Sequence, residues 1–457
     1  MQKYIFSDFF SYFRFYHFFY LVMNSSRKER IGWYFYDFAN SAFYTTVITV
    51  FIGPYLTDIA QNAAGPDGFI HLLGIPIYYG SLFTYVIALS VILQSIFLPL
   101  FGALADARGN KKSLLFTFAY IGAFSTMALF FVQGSHFLLG SLLLIIANLS
   151  IGISVVMYNS YLNDIAEPDR RDAVSSIGWA VGYVGGGILL ALNLLLFMKR
   201  ESLGLSTGMA VRINLCSAGA WWAIFALIPF ITLKSRKSLK LPEKESLFAP
   251  FRQIYHTLKS SRKYPQSLLF LIAYLFYNDG IQSVITVSAV FGEKQLNLGL
   301  DFLTSLILMI QFVAFFGSLL FNFLAKKIGS RNSIIISLVL WLAVVLYAFA
   351  LLQTQSQFVV LGILIGIILG GSQALSRSLY SLIIPKGMEA EYFSLYEISE
   401  RGTSWIGPVL FGLSLQFTQS YRIAILSLAV FFIVGVILLS KFSLTKALKR
   451  LNGEDSI

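Results

Sequence analysis

Charge is what this chain has least of. Only 12% of its 457 residues are Asp, Glu, Lys or Arg, and 57% are hydrophobic, whereas a soluble domain carries about 25% charged residues. A soluble globule is excluded. Cysteine occurs once, as Cys216, so neither an internal disulfide nor a thiolate metal cluster can form. His17, His71, His136 and His256 are scattered, and the chain holds no His-Glu-x-x-His, P-loop or paired nucleophile and base. No enzyme, resident metal, cofactor or ATP-driven pump is expected.

Long apolar runs are abundant. Segments of about twenty residues, each enough to cross a hydrocarbon core of about 30 Å, recur along the whole chain. Unpaired backbone is excluded from lipid, so helical spans follow. Twelve are expected, near 33–56, 79–104, 114–132, 137–159, 173–197, 213–233, 267–291, 303–325, 334–352, 359–384, 397–412 and 423–439. The net charge of +12 would suggest nucleic acid in a soluble chain, but here the basic residues gather in alternate loops. That is the positive-inside pattern, which points to the lipid bilayer and places both termini in the cytoplasm. Lys199, Arg200 and Arg212, in a supposedly external loop, are its main exception.

The polar stretches divide the chain. Residues 1–32 form a head whose first 22 residues, crowded with Phe and Tyr, lack a signal-peptide cleavage site; either they make an interfacial helix or the natural start is Met23. Residues 33–233 and 265–441 hold six spans each, with a basic tail at 442–457. Residues 234–264 join the halves, and Leu247, Phe248, Phe251, Ile254, Tyr255 and Leu258 predict an amphipathic helix on the inner leaflet.

The two halves repeat one another. Asp37, Asn40 and Ser41 return as Asp279, Gln282 and Ser283 after the same kind of aromatic lead-in, and the spacing i, i+3, i+4 puts each trio on one helix face. Leu104, Ala105, Gly109, Lys111 and Ser113 return at one constant offset as Leu324, Ala325, Gly329, Arg331 and Ser333, with Asp106 replaced by Lys326; Trp179 and Gly186 return as Trp405 and Gly412. Six spans followed by six in the same order make parallel halves. That is the plan of the major facilitator transporters, whose substrate site lies midway between halves.

Charges inside spans are costly and face a cavity or a partner. Asp37 is two helical turns beyond Arg30, near the cytoplasmic mouth, and Asp279 is deeper. Asp279 either binds a coupling proton or stays ionised and holds a substrate ammonium. Arg377, in the tenth span, suits a substrate carboxylate or pairs with Asp37, Asp279 or Glu400 as a gate. Asn40, Asn278, Gln282 and Gln373 add neutral donors and acceptors beside them, with Tyr36 and Tyr277 expected to line the cavity. Asp106, Arg108, Lys111 and Lys112, with Lys326, Lys327, Arg331, Glu397 and Glu400, are expected to latch the cytoplasmic face or only to fix topology. The glycines 178, 182, 185, 186 and 187 of the fifth span offer a small-residue packing face.

The turn Gly102-Ala-Leu-Ala-Asp-Ala-Arg-Gly-Asn-Lys-Lys112 resembles the signature loop of the major facilitator superfamily. The block 33–41, Tyr158 to Asp164, Gly178 to Gly186, Tyr277 to Gly280, Gln373 to Ser378 and Trp405 to Pro408 together resemble the autophagy-linked vacuolar amino-acid effluxer family and its bacterial relatives. The resemblance implies a secondary transporter of neutral amino acids, proton-coupled, in the inner membrane of a bacterium, with no nucleic-acid or obligate protein partner. A sugar or drug facilitator is the alternative. Tyr183 stands where the superfamily's antiporter motif has Pro, which argues against antiport.

Overall fold

The computed structural model describes residues 27–72, 75–236, 263–401 and 406–453. The aromatic head, the amphipathic linker helix and Trp405 lie outside the described residues. Among the described residues eleven helices are long and apolar enough to cross a membrane, and Ile406–Leu415 is a shorter apolar helix. The expected all-helical, twelve-span architecture is therefore present.

The first half contains α1 (Arg27–Ala63), α2 (Leu82–Arg108), α3 (Lys111–Ala128), α4 (Phe137–Ser160), α5 (Arg171–Met198) and α6 (Thr207–Thr232). The second contains α7 (Pro265–Leu296), α8 (Leu300–Ile328), α9 (Ser330–Ala350) and α10 (Gln355–Leu382). Its eleventh crossing is described as α11 (Glu389–Arg401) and α12 (Ile406–Thr418), on either side of residues 402–405, and its twelfth is divided into α13 (Tyr421–Ser427) and α14 (Ala429–Lys441). A short tail helix, α15 (Leu444–Leu451), follows.

Two features depart from the expected spans. Helix α1 runs past its expected end and is wound as a π-helix over Phe43–Phe51; the Thr49 hydroxyl donates to the Tyr44 carbonyl, five residues back, at 2.8 Å. The loop that follows is not only coil. Phe69–Leu72 (β1) and Ile75–Tyr78 (β2) pair antiparallel in the register Phe69↔Tyr78. Four-residue strands are too short for alternation to reveal among flanking Gly and Pro.

Small residues let the helices approach closely. A β-carbon on Gly185 of α5 would meet the Phe38 carbonyl oxygen of α1 at 2.4 Å, and one on Gly370 of α10 would meet the Ala314 carbonyl oxygen of α8 at 2.2 Å. The expected packing role of the α5 glycines is thus realised against α1.

The supposed charge exception has a structural cause. Arg212, at the start of α6, donates to the Phe130 carbonyl at 3.4 Å and to Gln133 Oε1 at 2.8 Å, beside the C-terminus of α3. Arg422, at the start of α13, does the same for α9: it donates to the Phe349 carbonyl at 2.8 Å and to the Leu352 carbonyl. A cation suits the negative end of a helix, and the two caps occupy corresponding places in the halves.

At the opposite end, rich in basic residues, the chain termini of the halves are tied down. Buried Glu29 accepts from the Lys234 backbone N–H at 2.9 Å and pairs with Arg236 at 3.1 Å. Gln266 accepts from the Ser443 N–H at 2.8 Å and Arg450 donates to the Lys263 carbonyl at 3.1 Å, which seats α15 at the start of α7.

Candidate functional site

The hydrogen bonds that join the two halves cluster toward the basic end, around Arg377. This side chain, only 2% exposed, comes from the second half, and its hydrogen-bond partners among the described residues come from the first. Nη1 donates to Asp37 Oδ2 of α1 at 3.2 Å and to Asn159 Oδ1 of α4 at 3.4 Å. Nε and Nη2 donate to Ser175 of α5, to its hydroxyl and its carbonyl, each at 2.9 Å. The Tyr158 hydroxyl donates to the same Asp37 oxygen at 2.6 Å. A buried guanidinium is thus paired and bonded on all sides, as burial of a charge demands.

Aromatic rings complete the enclosure. The guanidinium carbon lies 4.7 Å from the Trp33 ring centroid, 5.3 Å from Trp179 and 5.6 Å from Tyr158, within cation–π range. Trp33 stacks on Tyr158 at 4.4 Å and donates its indole N–H to the Tyr158 carbonyl at 2.9 Å. Gly178 makes room for all of this: a β-carbon there would lie 2.6 Å from Trp33, 2.9 Å from Asp37 Oδ2 and 3.1 Å from Arg377 Nη2.

Further bonds cross between halves nearby. Asn159 donates to Glu397 Oε1 of α11 at 2.7 Å, and Ser175 donates to the Ala374 carbonyl of α10 at 2.7 Å. Asp172, in the first turn of α5, accepts from Ser330 of α9 at 2.5 Å and from Ser378 of α10. Arg171 donates to the Ser381 carbonyl at 2.7 Å.

The charged turn after α2 docks on the start of α11. Asp106 accepts the backbone N–H groups of Ala390 at 3.3 Å and Glu391 at 2.9 Å, while Lys111 lies 3.4 Å from Asp106 and 3.3 Å from Glu389. An acid at the exposed N–H groups of a helix start is a favourable match. Arg108 is exposed, and Lys112 turns to the Phe230 ring of its own half at 5.3 Å.

The repeated turn after α8 behaves differently from the expected latch. Lys326 is exposed, Lys327 covers Phe323 of its own helix at 4.4 Å, and Arg331 donates to the Leu439 carbonyl at 3.0 Å. These three stay within the second half. Lys326 stands where the first turn has Asp106 and cannot accept a helix N–H, so the carboxylate that reaches this turn is Asp172, from the facing helix. Ser175 and Ser330 carry no pattern among many serines, and Asp172 lies in a charged stretch where one acid among several basic and acidic neighbours does not stand out; Ser378 lay at the end of a block that carried the family resemblance. Tyr158 and Asn159 did lie in a block that carried the family resemblance.

The second-half candidates form their own network. Gln373 donates to Asn278 Oδ1 at 2.9 Å, Asn278 donates to the Glu400 carbonyl at 2.9 Å, and the Tyr274 hydroxyl lies 3.0 Å from Glu400 Oε2. Tyr277 and Ser376 share a hydrogen bond of 2.6 Å. Asp279 is buried on α7; its Oδ2 accepts the Gly407 N–H at the start of α12 at 3.0 Å, and its Oδ1 has no hydrogen-bond partner among the described residues. Asp279 does not touch Arg377. Asn40 is buried one turn beyond Asp37, and Gln282 is half-buried. Tyr36 and Tyr277, expected at a cavity wall, are fully buried, Tyr36 against Tyr158 at 5.0 Å and Tyr277 against Tyr274 at 5.3 Å.

Comparison with known proteins follows the same lines. Residues 25–452 match the family described as "Vacuole effluxer Atg22 like". The MFS-type transporter YxiO of Bacillus subtilis is 30% identical over 421 residues, covering 92% of this chain and 96% of that protein. Autophagy-related protein 22 of Pyricularia oryzae is 26% identical, covering 89% and 74%. Among solved structures, the human organic anion transporter MFSD10 superposes with a TM-score of 0.67 at 14% identity, covering 91% of this chain and 99% of that one. A bacterial homologue of the iron transporter ferroportin, in an outward-facing state, gives 0.66 at 15% identity over 92% and 99%. The chain belongs to the Atg22-like vacuole effluxer family and is a multi-pass membrane transporter of the major facilitator type.

Proposed function

We propose that this protein moves neutral amino acids across the membrane by alternating access, with Asp37 and Arg377 as the charged pair that separates on opening and Asp279 as the proton-binding group. The observation that carries the reading is the buried Asp37–Arg377 bridge between halves. Leaving one member of such a pair buried and alone costs about 3 to 5 kcal/mol. A zwitterion supplies both replacement charges at once, an ammonium for Asp37 and a carboxylate for Arg377. The basic end is then the cytoplasmic face, closed here, with both termini inside and residues 33–233 and 265–441 as the moving halves joined by 234–264. Asp279 is buried in a span and its Oδ1 has no hydrogen-bond partner among the described residues, which supports a proton there over a permanent charge.

The test is uptake of labelled neutral amino acids into proteoliposomes under an imposed pH gradient. Gradient-driven uptake that is lost in Asp279→Asn is expected. A folded wild-type protein that moves no amino acid in either gradient direction overturns the cargo.

A further inference from the structure

We infer that Trp33, Asp37, Tyr158 and Trp179 form an aromatic cage for a compact ammonium head, including a fully methylated one, and that Arg377 is a built-in plug occupying it while the basic end is closed. The inference rests on the alternating-access reading above and deepens it by naming a ligand class.

The cage belongs to one half. Trp33 and Asp37 come from α1, Tyr158 from α4 and Trp179 from α5, whereas the cation they surround comes from α10. When the halves part at this end, Arg377 leaves with the second half and the three rings and the carboxylate remain together. The contacts that hold them do not depend on Arg377: Trp33 bonds and stacks with Tyr158, Tyr158 bonds to Asp37, and Trp179 packs on Tyr183 of its own helix at 5.7 Å. Three ring faces and one carboxylate oxygen around a volume that accommodates a guanidinium suit a cation of similar size.

The chemistry separates two kinds of ligand. A carboxylate alone prefers a cation with N–H donors, while ring faces attract any cation through the quadrupole and need no donor. Tetramethylammonium has no N–H and no carboxylate, so its binding reports the cage alone. Arg377 competes with it in the closed state, holding its place through Ser175 and Asn159 as well.

The experiment is titration of the purified full-length protein with tetramethylammonium chloride, followed by calorimetry and by tryptophan emission, since two cage walls are indoles. Arg377→Gln is expected to bind at least about tenfold more tightly than wild type, the scale of one desolvated cation–π contact. Adding Trp33→Leu to Arg377→Gln is expected to abolish that gain. Arg377→Lys, which keeps a cation but cannot make the three-sided bonding of the fork, is expected to fall between, and it serves if the Gln variant does not fold. A folded Arg377→Gln protein that binds no more tightly than wild type overturns the cage, as does a gain that survives Trp33→Leu. Binding of methylammonium without tetramethylammonium would assign the site to Asp37 alone and also overturn it. The probe needs neither gradient nor carboxylate, so a failed amino-acid uptake assay leaves this result intact, and the reverse holds.

Discussion

Arg377 and Asp37 lie 340 positions apart in the chain and 3.2 Å apart in the protein, and theirs is an ion pair between the two halves within membrane-spanning helices. Its energetics differ from those of a surface bridge, because each charge left alone is stranded in low dielectric.

Removing one partner should therefore cost more than removing both. Arg377→Met alone is expected to lower stability by about 3 to 5 kcal/mol, and Asp37→Leu with Arg377→Met to recover most of that loss. Thermal unfolding of the two variants in one detergent checks the order; equal losses would show that the pair is not desolvated in the membrane.

Gly178 sits too close to Trp33 for any larger residue. Gly178→Val is expected to destabilise by about 1 to 3 kcal/mol through overpacking and to displace the Trp33 ring. Gly412→Ala, where a β-carbon meets nothing within 4 Å among the described residues, is expected to be neutral. Paired melting curves and tryptophan emission spectra decide it.

Asp106 holds the start of α11 by two backbone bonds. Asp106→Ala is expected to cost about 1 kcal/mol of the closed basic end, as for a lost helix cap. A cysteine placed at buried Ser381 in a Cys216→Ala background should then react with a maleimide severalfold faster. An unchanged rate would mean that α11 is held by other contacts.

Arg422 caps α9 as Arg212 caps α3. Arg422→Gln is expected to reduce stability by about 1 to 2 kcal/mol, at the upper end for a helix-end cation because the cap is partly buried. Thermal unfolding at low and high salt checks this, the loss persisting at high salt if the charge is shielded from solvent.

Much of the fold was legible in the chain. Apolar length located the crossings, and the repeated Asp-x-x-amide-Ser trios and charged turns showed two parallel halves. The α1 π-stretch and the hairpin after it were hidden, since neither changes hydropathy over a twenty-residue window. The chain offered the candidate residues and, for Arg377, three alternative acids, Asp37, Asp279 and Glu400, but not which of them it meets. Asp37 and Asp279 look equivalent in sequence, yet Asp37 meets Arg377 across the halves while Asp279 meets the Gly407 N–H within its own.

What the sequence by itself determined was the membrane, the number of crossings, the twofold plan and which few polar groups enter the spans, because lipid excludes everything else and periodicity assigns each residue to a helix face. Which face meets which was decided only by tertiary packing. Helix spacing fixes the direction of a side chain on its own helix but says nothing about a neighbour hundreds of residues away. Glycines that admit a closer approach, such as Gly178 beside Trp33 and Asp37, settled which charges pair across the halves.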